Sequence, residues 1–461
     1  MTERPRQITL DQWDVQYDTL KAAGLVEPSY GGRLGRHVAD GDYRLHSLLF
    51  DNSPAALRLW NFLLTEEERL AEARAGAKKL VGVMKDLGTT AVMACALDNV
   101  VAFYPDGAWW IPCVMENSDR LLAVADSLGI DESFCPVRAM LGAFVTGNHF
   151  PIPDLLTCSV GAVCDDFSAI AQRLEGLGHR IVWWEIPHRR SPEEGEPTVV
   201  LPGKTFAAPQ SQVDFVKSQL TVVQKALEEV SGRRLDEAMF SSAIAEANRI
   251  RRLLSELRLA AFTAARSPMP ALEMLIAEML AIHYCSDRNE TAAVLQDLLD
   301  EVRTRIAAGT GFGGADTVKV FWVNPVADLR VMNLLEQCGG RICGTEYLFT
   351  HALDPIGEDV EPLEALARAA LADPMIGSAH DRAARIAAAA RAFGAEAVII
   401  SRIPGASHCA AEGRIIGDHL RKTCGLPALE IEIPTLADAI RPALCTRMEA
   451  LVETVRHRRQ P

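Results

Sequence analysis

The sequence predicts an α/β protein: two doubly wound parallel-sheet lobes joined by a helical segment, with a helical N-terminal cover. Three observations predict it. Leu155–Val160 is a short, continuous apolar run that passes through a turn into an amphipathic segment, Phe167–Leu177, closed by Gly178. Glu396–Ser401 opens a similar unit in the last third of the chain, and between the two, residues 210–308 carry helical periodicity with few breaks. A chain of 461 residues has room for two or three domains at about 150 residues each.

Taken in order, residues 1–88 read as the cover. Leu10–Ala23 and Tyr43–Leu64 place apolar residues at helix spacing, and Thr65 followed by Glu66, Glu67 and Glu68 reads as an N-cap opening a helix to Leu87. The first lobe spans 89–209. It begins with a strand-like TTAVMAC at Thr89–Cys95, followed by a mixed stretch, Asp98–Asn117, and a helix, Ser118–Leu128. CPVRAMLGAF at Cys135–Phe144 sets a cysteine before a proline and a helical pattern, and proline is favoured in a first helical turn. Arg180–Ile186 is a further strand.

Residues 210–315 form the helical connection. It ends on GTGFGG at Gly309–Gly314, which matches a dinucleotide GxGxxG but follows a helix and precedes a strand, so it reads as a linker. The second lobe, 316–461, alternates strand Val318–Val323, helix Ala327–Cys338, strand Arg341–Thr345, helix His380–Phe393 and strand Glu396–Ser401. Helix Ala410–Cys424 and strand Ala428–Ile433 follow, and the basic end, Arg456–Arg459, reads as a solvated tail.

Composition narrows the function. A formal net charge of −14 disfavours a sequence-independent nucleic-acid binder, which needs a basic footprint. No uninterrupted apolar run reaches about 18 residues, so no membrane span is expected. The N-terminus lacks the apolar core of a signal peptide, and the expected location is cytoplasmic. Eleven cysteines in such a chain are not expected to form a disulfide framework. With no CxxC and no HExxH, a metal site would have to be assembled from cysteines far apart in sequence.

Three cysteines stand where a helix begins after a sheet edge: Cys135, Cys164 and Cys409. Unpaired backbone N–H groups at a helix start favour the thiolate, which is the metal-binding form. Cys164 alone could be a nucleophile, a redox sensor or an inert thiol, and the plain alternative for all three is a buried free cysteine. Cys158, Cys338 and Cys343 read as core residues, and Cys95, Cys113, Cys285, Cys424 and Cys445 lack comparable corners.

With CPVRAMLG at 135, PDLLTCSVGAVCDDF, VSGRRLDEAMFSSAIAEANRIRRLL, AEAVIISRIPGASHC and GLPALEIEI, the chain resembles the 2-hydroxyacyl-CoA dehydratase and benzoyl-CoA reductase superfamily from roughly Thr89 to Pro434. The resemblance is to the iron–sulfur D-component type. It implies two Rossmann/flavodoxin-like lobes with a [4Fe-4S] cluster between them, held by Cys135, Cys164 and Cys409 and leaving one iron without a protein ligand. It also implies a homologous second subunit or a second copy, a separate ATP-hydrolysing iron–sulfur activator, and an acyl-CoA substrate. The chemistry would be radical dehydration (a lyase) or reductive dearomatisation (an oxidoreductase). The absence of GxxxxGK[ST] fits ATP hydrolysis by a partner. Two alternatives stay open: a homodimeric double-cubane reductase of small molecules, with clusters bridged by sulfide, and a cluster-free two-lobed scaffold.

Several further residues carry two readings. His408 adjoins Cys409, and His149 lies in a loop between two ligand corners; each is either a proton or hydrogen-bond donor at the cluster or a plain loop histidine. His188, Arg189 and Arg190 either meet CoA phosphates or form a solvated basic turn. Trp183 and Trp184 read as strand packing rather than a cofactor platform.

Overall fold

The computed structural model describes residues 4–24, 31–38, 44–110, 118–314, 316–407, 409–435 and 438–460. Eight strands form two four-stranded parallel sheets. The first comprises β1 (Lys79–Met84), β2 (Val100–Phe103), β3 (Leu155–Gly161) and β4 (Ile181–Ile186), in the order β2-β1-β3-β4. The second comprises β5 (Val318–Val323), β6 (Gly340–Glu346), β7 (Ala397–Arg402) and β8 (Ala428–Glu432), in the order β6-β5-β7-β8. The central strands are apolar nearly throughout because helices cover both faces of a parallel sheet. In each lobe the chain moves outward from its first strand to one neighbour, then returns to the other side. The order therefore reverses between β1 and β3, and again between β5 and β7. Open α/β sheets bind ligands at such points.

Several elements differ from the sequence reading. The helix opened at Glu66 stops at Ala75 on Gly76, and KLVGVM at Lys79–Met84 is the central strand β1, inside the segment read as cover. TTAVMAC is helical from Thr90 to Cys95, not a strand. The Asp86 carboxylate explains the switch: it accepts the N–H groups of Thr89 and Thr90, satisfying donors that an incoming helix leaves open. Within Tyr43–Leu64 only Pro54–Leu64 is α-helix, capped by Ser53, and Phe50–Asp51 pairs antiparallel with Gln7–Ile8. The GTGFGG stretch does link a helix, ending at Ala307, to β5.

The basic end is not a free tail. It is the last turn of a helix, Arg441–Arg459, that buries Leu444, Met448, Leu451, Val452 and Val455. Arg459 pairs with the Glu396 carboxylate and donates to the carbonyls of Asp316 and Thr317.

Helices Gln210–Ser231, Glu237–Thr263, Ala271–His283 and Arg288–Ala307 join the lobes. One hydrophobic core runs through them into both sheets, taking in Val81 and Leu155 on one side and Trp322 and Ile399 on the other. Two buried arginines add polar ties. Arg251 donates to the carbonyls of Gly88 (3.1 Å) and Asp354 (2.7 Å). Arg189 donates to those of Leu371 (2.7 Å) and Asp373 (2.8 Å) and lies over the Phe206 ring. Neither reading of the His188–Arg190 turn holds for Arg189, which is an internal tie; Arg190 is exposed and paired with Glu196. Among the described residues no helix is long and apolar enough to cross a membrane.

Candidate functional site

Each of the three singled-out cysteines sits at a local structure that its neighbours dictate. Cys164 is the N-cap of helix Asp165–Gly176, directly after β3. Asp165 and Asp166 occupy the first turn, where a negative charge complements the helix dipole. Cys135 precedes a short turn, Pro136–Arg138, which leads into helix Ala139–Thr146. Cys409 follows β7 and begins the turn Cys409–Ala411, ahead of helix Gly413–Cys424.

The loop between β7 and Cys409 brings the corners together. Ser407 donates to Asp166 Oδ2 twice, from its backbone N–H (3.1 Å) and from its hydroxyl (2.9 Å), so the Cys164 helix start is bonded to the second lobe. Gly405, at φ +78°, lies against the residue before Cys135: a Cβ on it would stand 2.5 Å from the Phe134 carbonyl oxygen. Only glycine fits that approach and that backbone angle.

All three thiols line one cavity of about 130 Å³ whose walls are largely apolar, including Val137, Phe167, Leu275, Ile282 and Val326. Such a volume far exceeds what a single water needs, about 10–15 Å³ by the same kind of measure. The cavity lies at the carboxyl ends of both sheets, with Pro325 following β5 and Ile403 following β7 on its wall.

Burial pushes the thiol of Cys164 up to about 12 and that of Cys409 to about 11, and it raises Cys135 well above the ordinary value. Burial thus works against the thiolates that a helix start favours. The Phe167 N–H at Cys164 and the Val137 N–H at Cys135 do help the charged form, but the apolar wall outweighs them. Binding a metal would require each thiol to give up its proton.

A buried ionic network stands behind Cys409. Arg382, fully buried, donates to Glu346, Glu412 and the Asn324 side-chain oxygen. Burial opposes the Arg382 charge, and the two carboxylates more than offset it, so its pKa is raised. The Asn324 amide in turn donates to the carbonyls of Ser401 (2.9 Å) and Cys409 (3.4 Å), which fixes the turn.

His149 does not reach the cavity. It is buried at φ +80° against Phe150, its Nδ1 meets no hydrogen-bond partner among the described residues, and burial holds it down to about 4. It is a neutral core histidine beside the Glu66–His283 pair rather than a donor at the three thiols. His408 and Cys113 lie outside the described residues. Cys158 is fully buried within β3 and Cys343 within β6.

Two cavity residues were missed in the sequence. Lys85 escaped because β1 was read as helix, and Asp106 because its stretch resisted assignment; both line the cavity. Burial raises the Asp106 pKa. A signal for Lys85 was present: a lysine ending an apolar, valine-rich run.

No three of the described residues' His, Cys, Asp or Glu side chains draw together closely enough for one metal ion. Yet three thiols from three separate corners face one cavity.

The chain matches a family model described as 2-hydroxyglutaryl-CoA dehydratase, D-component, over residues 93–455. No curated protein matches the chain.

Proposed function

The chain belongs to the 2-hydroxyglutaryl-CoA dehydratase D-component family, and we propose that it is the iron–sulfur subunit of an ATP-activated, low-potential enzyme acting on an acyl-CoA. The reaction would be of the 2-hydroxyacyl-CoA dehydratase or benzoyl-CoA reductase type. The observation that carries this reading is the convergence of Cys135, Cys164 and Cys409 on one apolar cavity where both strand orders reverse.

In this reading the three thiolates would hold a [4Fe-4S] cluster. When bound, the cluster would supply an iron free of protein ligands, open to a substrate oxygen by the logic of open metal sites. The chain's own residues supply the setting. Val137, Phe167, Leu275 and Val326 exclude water, which strengthens every charge interaction inside. Asp166 and Ser407 keep the two lobes' corners in register. His408 is the candidate proton donor, by its position beside Cys409. ATP hydrolysis would fall to a separate activator, and a homologous subunit or a second copy would complete the enzyme.

Anaerobic purification with its partners, followed by iron and acid-labile sulfide analysis, tests the proposal. The expected result is about four irons and four sulfides per chain, with most iron lost on replacing Cys135, Cys164 or Cys409 by Ser. Cys445→Ser should change nothing, because Cys445 faces Cys338 at the C-terminal helix, away from the cavity. Iron-free protein, or equal loss at Cys445 and Cys164, would overturn the assignment. A homodimer with the spectrum of a bridged cluster would replace it with the double-cubane reading.

A further inference from the structure

The first strand of each sheet ends on a residue held at positive φ without being glycine: Lys85 after β1 (φ +74°) and Asn324 after β5 (φ +68°). Such strain in a non-glycine residue persists only where the surroundings over-determine it. For Asn324 the reason is visible, since its side chain ties the Cys409 turn to β7. Lys85 occupies the equivalent place in the first lobe with a different side chain and different neighbours.

Lys85 is 5% exposed and lines the cavity. Its Nζ donates to Ser168 Oγ at 3.0 Å, on the helix that Cys164 caps. An ammonium has three donors, so two remain, and neither meets an acceptor among the described residues. Lys85 is also the one cationic side chain among the described residues that line the cavity. Burial lowers the Lys85 pKa, and the nearby Asp165 and Asp166 carboxylates work in the opposite direction. Asp166 is already engaged by Ser407. A buried ammonium with donors to spare, beside an apolar wall, suits a ligand with one electron-rich oxygen and an apolar remainder.

We propose that Lys85 binds the carbonyl oxygen of an acyl thioester in this cavity, with the acyl chain along Leu275, Ile282, Val326 and Phe349. The inference rests on the acyl-CoA reading above and adds a residue that lies outside the matched stretch 93–455. The ammonium would stabilise negative charge on that oxygen, the atom onto which an added electron is drawn. Ser168 positions Nζ.

The test compares binding of 2-hydroxyglutaryl-CoA, benzoyl-CoA and free CoA by calorimetry, on anaerobically purified, iron-loaded protein. Wild type is set beside Lys85→Met and Lys85→Gln, the latter keeping a donor for Ser168 without the charge. Both variants should bind a thioester about tenfold more weakly or worse, the range of a hydrogen bond to a charged group. They should bind free CoA unchanged and retain their iron. Equal thioester affinity in wild type and Lys85→Gln would overturn the role of Lys85 and leave the acyl-CoA reading standing. Iron loss in both variants would also overturn it, showing that Lys85 serves only to hold the Cys164 helix. Failure of iron-loaded wild type to bind either thioester would remove both readings.

Discussion

At the carboxyl end of β3 the chain turns into a helix whose N-cap is Cys164, and local backbone geometry places the thiol. At the carboxyl end of β7 it instead runs through a loop of several residues before Cys409, and side chains behind it fix the turn: the buried Asn324, Arg382 and Glu346, with the half-buried Glu412. The amino ends of the two sheets are alike. The Asp154 carboxylate accepts the Leu80 N–H (2.8 Å) just as the Glu396 carboxylate accepts the Lys319 N–H (3.0 Å), each from the connection ahead of its lobe's third strand. The lobes thus share a strand order and a stitched base, and they diverge at the ends that meet. A repeated scaffold fixes where a ligand can bind, and unrepeated side chains fix what binds.

The sharpest way to break this comparison is to remove the side chains that only the second lobe uses. Arg382→Met leaves Glu346 and Glu412 without their cation, and breaking a buried pair in this way costs about 3–5 kcal/mol. Urea unfolding should show that loss, with iron retention falling as the Cys409 turn loosens. A stability change under about 1 kcal/mol would mean that this network does not hold the Cys409 turn.

A smaller effect is expected where the two corners touch. Gly405→Ala forces a Cβ against the Phe134 carbonyl at positive φ, and overpacking of that kind costs about 1–3 kcal/mol. Asp166→Ala removes the acceptor for both Ser407 donors, at about 1–2 kcal/mol, and should speed hydrogen exchange at the Ser407 amide. If only Gly405→Ala mattered, steric fit rather than hydrogen bonding would join the lobes.

A further expected effect is a pH dependence carried by one buried histidine of the first lobe. Folded His149 holds its proton only below about 4, whereas an unfolded histidine holds one up to about 6.5. Between those values the unfolded chain binds more protons, so acidification through that window lowers stability. His149→Gln should flatten the slope of unfolding free energy against pH there. An unchanged slope would show that His149 is already protonated in the fold.

Much of the architecture was legible because a parallel strand buried on both faces leaves an apolar run, as at Glu396–Ser401, and a helix start leaves Asp165 and Asp166 behind a cap. What failed did so for local reasons. Lys79–Met84 looked helical because a charged helix ran up to it, and its Gly76 stop was overlooked. Thr89–Cys95 looked like a strand because its two threonines and valine favour one, while the acceptor that starts the helix, Asp86, is not among them. The C-terminal helix read as a tail because its basic last turn hid the buried stripe Leu444, Met448 and Val452.

By itself the sequence determined that Cys135, Cys164 and Cys409 each stand at a turn into a helix, since caps, prolines and apolar runs act over a few residues. Only the tertiary structure decided that the three share a cavity, that burial works against their ionisation, and that Lys85 joins them while His149 does not. Those outcomes depend on burial and on contacts between residues as distant as Asp166 and Ser407, and no local pattern encodes how much water a fold will exclude.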